Sequence, residues 1–396
     1  MNQSLQAGVK ILVVDDEIDM EPMIRQKFRR QIRQRSYDFE FASNGVEALK
    51  KITQHPEIGI VLSDINMPEM DGLTLLTKLK ELQNPGLKTV IISAYGDMDN
   101  IRTAMNRGAF DFITKPVNFN DLEITINKTH DEIMSIRRWL KEHDQLLSIQ
   151  NDLNISRDIQ QAILPKKFPP FPSQPSFDIY ASMVAANDVG GDFYDFFMID
   201  NDRLGFVIGD VSGKGISAAI FMAVSRTLIR ATALKGETVS ECMFYANNLL
   251  CKESVSSMFV TVFYGILNTK TGKVDYVNAG HNPPFIISDK GIQEVEMTDG
   301  LALGVLNDFA FKSKSLQLKK DEKLVLSTDG VVEAFNIDNA AYGDDRYKNF
   351  LNSNRNLSIE NIVKELFKDV CGFVDGAPQS DDITLLGISF NGESTA

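Results

Sequence analysis

Cysteine, histidine and tryptophan are scarce in this chain: its 396 residues include three cysteines, four histidines and one tryptophan. Cys242, Cys251 and Cys371 form no CxxC pair, which excludes both a disulfide framework and a cysteine zinc site and suits a reducing compartment. Positive charge is also in deficit. Lys plus Arg total 41 against 54 Asp plus Glu, a formal net charge of −13, so no overall positive field draws the chain onto nucleic acid or anionic lipid. Long apolar runs are missing as well. The run Ile11 to Val14 ends at once in acidic residues, unlike a signal peptide or anchor. The most apolar helical stretch, Ala218 to Ile229, is short for a membrane span and contains Ser225 and Arg226. The expected location is the cytoplasm, with neither nucleic acid nor membrane as a partner.

What the sequence does have is length and a globular composition, 43% hydrophobic and 24% charged, enough for two or three folded units. The first unit alternates strand and helix signatures. Lys10 to Asp16, Asp38 to Ser43, Ile58 to Asp64, Lys88 to Ala94 and Gly108 to Lys115 are short runs rich in Val, Ile and Phe, separated by segments with helical spacing such as Leu73, Leu76, Leu79 and Leu82. Repeats of this kind predict a five-stranded parallel doubly wound sheet, whose ligands sit beyond the carboxyl ends of the strands. Asp15, Asp16, Asp64, Ser93 and Lys115 lie at those ends. Each Asp there could cap a following helix. Three carboxylates on one edge repel each other unless a cation neutralises them, and an oxygen-loving Mg²⁺ is the natural complement.

VVDDE at Val13 to Glu17, LSDINMPEMDG at Leu62 to Gly72, ISAYG at Ile92 to Gly96 and ITKP at Ile113 to Pro116 resemble the CheY-like receiver domain of two-component response regulators, over residues from about 9 to 125. The resemblance implies that Asp64 is the phosphoacceptor, that Asp15 and Asp16 hold Mg²⁺, and that Asn66 offers it a backbone carbonyl. It also implies that Ser93 binds a phosphoryl oxygen, Lys115 pairs with the acyl phosphate, and Phe112 takes the aromatic switch position, where a plain core Phe is the other reading. The phosphoryl donor is expected to be a sensor histidine kinase or phosphotransfer protein. The receiver is placed at residues 9–120.

A helical linker is expected over residues 121–164. Leu122, Ile126, Thr129, Ile133, Ile136, Leu140, His143 and Leu147 fall alternately four and three apart, a heptad seam that predicts a parallel coiled coil and a homodimer. A short amphipathic helix packed on its own domain is the competing reading. After a phase shift near Leu153 come Ile155, Ile159 and Ile163, and five prolines between Pro165 and Pro175 then break the helix.

Residues 165–392 form the third expected unit, with strands, two long helical stretches and no regular β–α alternation, which favours a sheet sandwich flanked by helices. Gly209 to Gly215 looks like a phosphate loop, but its spacing is one residue short, and Gly215 stands where Ser or Thr is required. The acidic residues are more informative. Asp188 and Asp192 in NDVGGDFYD, Asp210 in GDVSGKG, Asp329 in STDG, and Asp381 and Asp382 in SDDIT all lie at strand ends or sharp turns. Turn capping explains any one of them; together they suggest a pocket for two divalent metals that would activate water for attack on a phosphate.

With NAGHNPP at Asn278 to Pro284, these motifs resemble the PPM-type serine/threonine protein phosphatases, in their SpoIIE-like branch, over residues from about 160 to 390. The implied fold is an α-β-β-α sandwich. By the resemblance Asp192 and Asp210 bridge two Mn²⁺ or Mg²⁺ ions, Val211 contributes its carbonyl, Asp329 and Asp381 complete one metal's shell, and Asp188 and Asp382 support the ligands. His281 is expected to shape its loop or to transfer protons. The implied substrate is a phosphoserine or phosphothreonine protein, such as a STAS-type anti-sigma-factor antagonist. The other readings are a phosphorylation-dependent binding adaptor that uses this domain as a docking surface, and a hydrolase of small phosphate esters or cyclic dinucleotides.

Overall fold

The computed structural model describes residues 8–94, 96–253, 258–298 and 300–392, so Tyr95 of the ISAYG motif lies outside the described residues. The chain divides into two compact units, residues 1–148 and 149–396. In the first, strands β1 (Val9–Val14), β2 (Tyr37–Ala42), β3 (Ile58–Asp64), β4 (Lys88–Ala94) and β5 (Asp111–Lys115) form a parallel sheet in the order β2-β1-β3-β4-β5. Between them lie α1 (Met20–Lys27) and α2 (Arg29–Arg33), α3 (Gly45–Gln54), α4 (Gly72–Glu81) and α5 (Met98–Arg107). All seven residues of β3 are buried, as expected of a central parallel strand covered on both faces. Helix starts follow their caps: the Asn44 side chain accepts from the Glu47 amide at 2.9 Å, and Asp71 accepts from the Thr74 amide at 2.6 Å.

The helix α6 (Phe119–Ile163) spans 45 residues, and the boundary between the two units falls within it. Its opening turns belong to the receiver core. Leu122 and Ile126 are fully buried and Ile133 is 2% exposed, packed in one cluster with Phe28, Tyr37 and Phe39. Thr129 is buried too, with its hydroxyl on the Thr125 carbonyl at 2.6 Å, and Tyr37 donates to Asn127 at 2.6 Å. The first half of the heptad seam is therefore the face by which the helix packs on its own domain. Farther on the seam is open: Leu140 is 37% and Leu147 55% exposed, with Trp139 stacked on His143 at 5.3 Å between ring centroids.

In the second unit two antiparallel sheets face each other. One has the order β13-β10-β9-β8-β7 and the other β12-β11-β14-β15-β6. Their strands are β6 (Phe177–Val184), β7 (Phe193–Met198), β8 (Arg203–Val211), β9 (Val260–Asn268), β10 (Lys273–Ala279), β11 (Phe285–Ser288), β12 (Gly291–Glu294), β13 (Lys314–Gln317), β14 (Lys323–Ser327) and β15 (Ile383–Phe390). Helices α7 (Ile216–Ala233) and α8 (Val239–Glu253) pack on the first sheet, and α9 (Gly343–Ser353) and α10 (Ile359–Val374) on the second. Phe196, Phe206, Phe263, Leu326, Leu386 and Ile388 are among the residues that fill the core between the sheets. This is the α-β-β-α sandwich the motifs imply.

Helix α7 is longer than its apolar run and, with 18 residues, is apolar enough by composition to cross a membrane. Here it packs on β7 and β8. Arg226 and Arg230 on α7 reach the fully buried Asp195 of β7 at 2.8 and 2.9 Å. Burial pushes the Asp195 carboxyl upward and the two guanidinium groups pull it back. This buried pairing accounts for the last acid of the NDVGGDFYD motif as a fastening between helix and sheet.

Candidate functional site

Each unit gathers acidic residues at strand ends. In the first, Asp15 follows β1, Asp64 ends β3 and Lys115 ends β5. The Lys115 ammonium binds Asp64 Oδ2 at 2.7 Å, Asp15 Oδ2 at 3.1 Å and Glu17 Oε1 at 2.7 Å. These partners hold the Lys115 pKa above its ordinary value against the opposing effect of burial. Asp64 Oδ1 accepts the Ile65 amide at 2.6 Å, so Oδ2 is the oxygen presented to Lys115. Oxygens of Asp15, Glu17 and Asp64 lie within 4.8 Å of one another, a hard-oxygen set suited to Mg²⁺. Glu17 was not among the sequence candidates, although it ends the VVDDE motif; Asp16 is exposed and outside this group. Ser93 is buried with its hydroxyl on Asp97 at 3.2 Å, Asn66 is exposed with its amide 3.4 Å from Asp64 Oδ1, and Phe112 is 38% exposed, so it is no core residue. Gly72 is required by packing, since a Cβ there would lie 2.1 Å from the Asp64 carbonyl oxygen.

In the second unit the acids come from both sheets. Asp192 immediately precedes β7, and Asp210 and Val211 end β8. From the opposite sheet, Asp329 opens a single 3₁₀ turn (Asp329–Val331) after β14, and Asp381 and Asp382 immediately precede β15. Asp192 is 1% exposed and accepts the Thr328 hydroxyl at 2.7 Å. Burial and the neighbouring charges of Asp210 and Asp382 push its carboxyl well above the carboxylate range. Asp210 is pushed up to about 7 by burial and by Asp329 and Asp381. Asp329 is raised by burial, Glu333 and Asp381.

This mutual repulsion is what a divalent cation would relieve, and the donors are all hard oxygens, so the residues present fit Mn²⁺ or Mg²⁺. Asp381 holds the Lys214 ammonium at 2.9 Å. Asp382 has a different task. Its Oδ1 accepts the Ala186 amide at 2.8 Å and its Oδ2 the Gly191 amide at 2.6 Å, which ties the loop before Asp192 to β15. A Cβ on Gly190 would lie 2.2 Å from Asp382 Oδ2, and one on Gly191 would lie 2.9 Å from the Val211 carbonyl oxygen, so the paired glycines are needed for these approaches. Asp188 lies farther out, its carbonyl accepting Arg157 Nε at 2.9 Å and its carboxylate paired with the same guanidinium.

His281 is 3% exposed, and burial pushes its pKa down to about 4, so the ring is neutral. Its Nδ1 meets the Thr261 hydroxyl at 3.0 Å, and Thr261 is opposite Asp210 in the β8–β9 register. The Asn278 side chain accepts the His281 amide and donates to the His281 carbonyl, each at 2.8 Å. Of the two expectations for His281, this geometry carries the loop-shaping one. Thr328 stands beside Asp329 in STDG, where its motif marks it; Arg157, Gln160 and Lys214 carry no such signal in the sequence.

Comparison with known families decides the classification. Residues 11–127 match the response regulator receiver domain, and residues 200–391 match the stage II sporulation protein E (SpoIIE) family. The chain is a response regulator receiver joined to a SpoIIE-family, PPM-type phosphatase domain. Protein IcfG of Synechocystis sp. is 32% identical over 311 residues, 68% of this chain and 48% of its own length. Phosphoserine phosphatase RsbU of Bacillus subtilis is 29% identical over 251 residues, 62% of this chain and 73% of its own. The chain thus spans about half the length of the cyanobacterial relative. Among solved structures, the SiaA PP2C domain of Pseudomonas aeruginosa superposes with a TM-score of 0.55 at 18% identity, over 62% of this chain and 98% of that one, and supports the fold of the second unit.

Proposed function

We propose that this response regulator takes up a phosphoryl group on Asp64 and thereby controls the dephosphorylation of a phosphoserine or phosphothreonine protein in the cytoplasm. The observation that carries the reading is the meeting of Asp192 and Asp210 from one sheet with Asp329 and Asp381 from the other, each of the first three raised by burial and by its acidic neighbours. Asp192, Asp210, the Val211 carbonyl, Asp329 and Asp381 would hold two Mn²⁺ or Mg²⁺ ions. When bound, such ions supply a water-derived nucleophile at neutral pH and screen the phosphate's charge. Thr328 orients Asp192 through its 2.7 Å hydrogen bond, and Asp382 and Gln160 fix the backbone that carries it. The likeness to the phosphoserine phosphatase RsbU favours a phosphoserine protein, and the SpoIIE-like resemblance implies a STAS-type antagonist as that substrate.

In the receiver, Asp15 and Asp64 with Glu17 or Asp16 would hold Mg²⁺, which offsets charge on the incoming phosphoryl group. An Asp64 carboxylate oxygen attacks the phosphorus of a phosphohistidine or small acyl phosphate and the bond to the donor breaks; a departing imidazole nitrogen takes a proton from solvent, whereas a departing carboxylate leaves as its anion. Lys115 remains paired with the product anion, and Ser93 is placed to bond a phosphoryl oxygen. The open stretch of α6 from Leu140 onward would pair with a second copy. The test is a Mn²⁺-dependent assay on a phosphoserine protein, with wild type beside Asp210→Asn. Asn removes one carboxylate from the set that would hold the ions and should abolish turnover; retained activity would refute the assignment.

A further inference from the structure

Lys214 stands between two glycines with positive φ, Gly213 at 89° and Gly215 at 80°, and a Cβ at either would meet nothing within 4 Å. The segment is uncrowded. From it the half-exposed Lys214 side chain reaches the loop before β15, where Nζ donates to the Ser380 carbonyl at 2.6 Å and pairs with Asp381 Oδ2 at 2.9 Å. An ammonium group thus stands among carboxylates that repel one another, at the one that both the pairing and a metal would claim. Asp381 Oδ1 is already engaged by the Asp382 amide at 2.8 Å, which leaves Oδ2 as the contested oxygen.

We propose that Lys214 is a phosphate-recognition residue, held on Asp381 when that carboxylate has no divalent cation and released to the substrate's non-bridging phosphate oxygens when it has one. The proposal rests on the phosphatase reading above and names a further residue for it. A lysine suits both states because its ammonium is a compact charge on a flexible stem, able to exchange one oxyanion for another. The two uses of Lys214 are linked. If its pairing competes with cation binding, its removal must strengthen the cation and weaken the phosphate.

That opposition of signs is the test, made by calorimetry on the full chain with Mn²⁺ alone and then with inorganic phosphate on the Mn²⁺-saturated protein. The receiver's own sites contribute equally to wild type and variant and drop out of the difference. Lys214→Met should bind Mn²⁺ roughly two- to five-fold more tightly, as expected for loss of a partly exposed competing ion pair. It should bind phosphate about ten-fold more weakly, with Lys214→Arg close to wild type. Unchanged phosphate affinity in Lys214→Met, or weakening of both ligands together, would make Lys214 a structural strap and overturn the proposal. A wild-type chain that hydrolyses no phosphoprotein would count against the phosphatase reading, while the phosphate titration would still decide the role of Lys214.

Discussion

Gln160 on α6 and Gly190, two residues before Asp192, exchange two hydrogen bonds: the Gln160 amide donates to the Gly190 carbonyl at 2.6 Å and its oxygen accepts the Gly190 amide at 3.0 Å. Arg157, one turn earlier, holds Asp188 of the same loop. The connection between the linker helix and the metal-site loop is therefore polar. The apolar Ile159 beside Gln160 on the helix is 59% exposed.

Replacing Gln160 by Ala leaves both backbone groups of the buried Gly190 without this partner, a loss of about 1–3 kcal/mol in stability. Turnover per folded molecule should fall as well, because the loop that positions Asp192 loses its hold at Gly190 and keeps only Asp382 and Arg157. Chemical denaturation and phosphatase kinetics on the same preparations separate the two effects. A variant that is less stable yet turns over substrate like wild type would reduce Gln160 to a packing role.

The metal-free chain should lose stability as pH rises toward neutrality. Unfolded, Asp210 releases its proton near 3.8; folded, it keeps it until about 7. Between those values the native state binds the extra proton, so stability falls with rising pH, by at most about 1.4 kcal/mol per pH unit for one group, and levels off above the folded value. Urea midpoints in chelator at about pH 5 and about pH 8 should therefore fall more for wild type than for Asp210→Asn. His281, lowered to about 4, acts in the opposite sense below its ordinary value, but equally in both chains. Parallel slopes would show that Asp210 is ionised in the folded chain throughout.

Much of this was readable from residue order. β3 and β4 have the bounds their apolar runs indicate, because strands buried along most of their length leave an uninterrupted signal. The short strands β11, β12 and β13 left none: β12 and β13 have no buried residue, so no apolar alternation marks them. The start of α6 was misread for a physical reason. A helix packed on its own sheet and a helix paired with a second copy both place apolar residues three and four apart, and only the burial of Leu122, Ile126 and Ile133 with Phe28 separates the cases. In the sites, the acids were legible through their motifs. The partners that position them, such as Gln160 for Gly190 and Thr261 for His281, act across 30 and 20 residues with no periodic trace.

Asp64→Asn should fail to take up a phosphoryl group from acetyl phosphate or a partner kinase, since an amide is no nucleophile here. The fold should survive, as Asn can still accept the Ile65 amide that Asp64 holds at 2.6 Å. Hydroxylamine-sensitive labelling followed by mass spectrometry checks it. Stoichiometric labelling of the variant would place the acceptor elsewhere, and Asp15 would be the next carboxylate to examine.

The last prediction concerns the open stretch of α6. Leu140 and Leu147 are 37% and 55% exposed and lie one heptad apart on the seam, whereas Ile133, on the same seam, is 2% exposed within the receiver. Substitutions along one helix should therefore have opposite consequences. A charge at Ile133 would be buried among apolar side chains and should unfold the receiver, removing Asp64 labelling altogether. Charges at Leu140 and Leu147 cost the isolated chain little, because these side chains already face solvent, but they would place like charges across a paired seam. Leu140→Glu with Leu147→Glu should then give a monomer by light scattering, with Asp64 labelled at the wild-type rate and phosphatase output no longer responsive to that labelling. Were the double variant still dimeric and responsive, this stretch of the seam would not be the contact between copies. Were it monomeric yet responsive, pairing would be unnecessary for the signal, and transmission would have to run within one chain through Arg157 and Gln160.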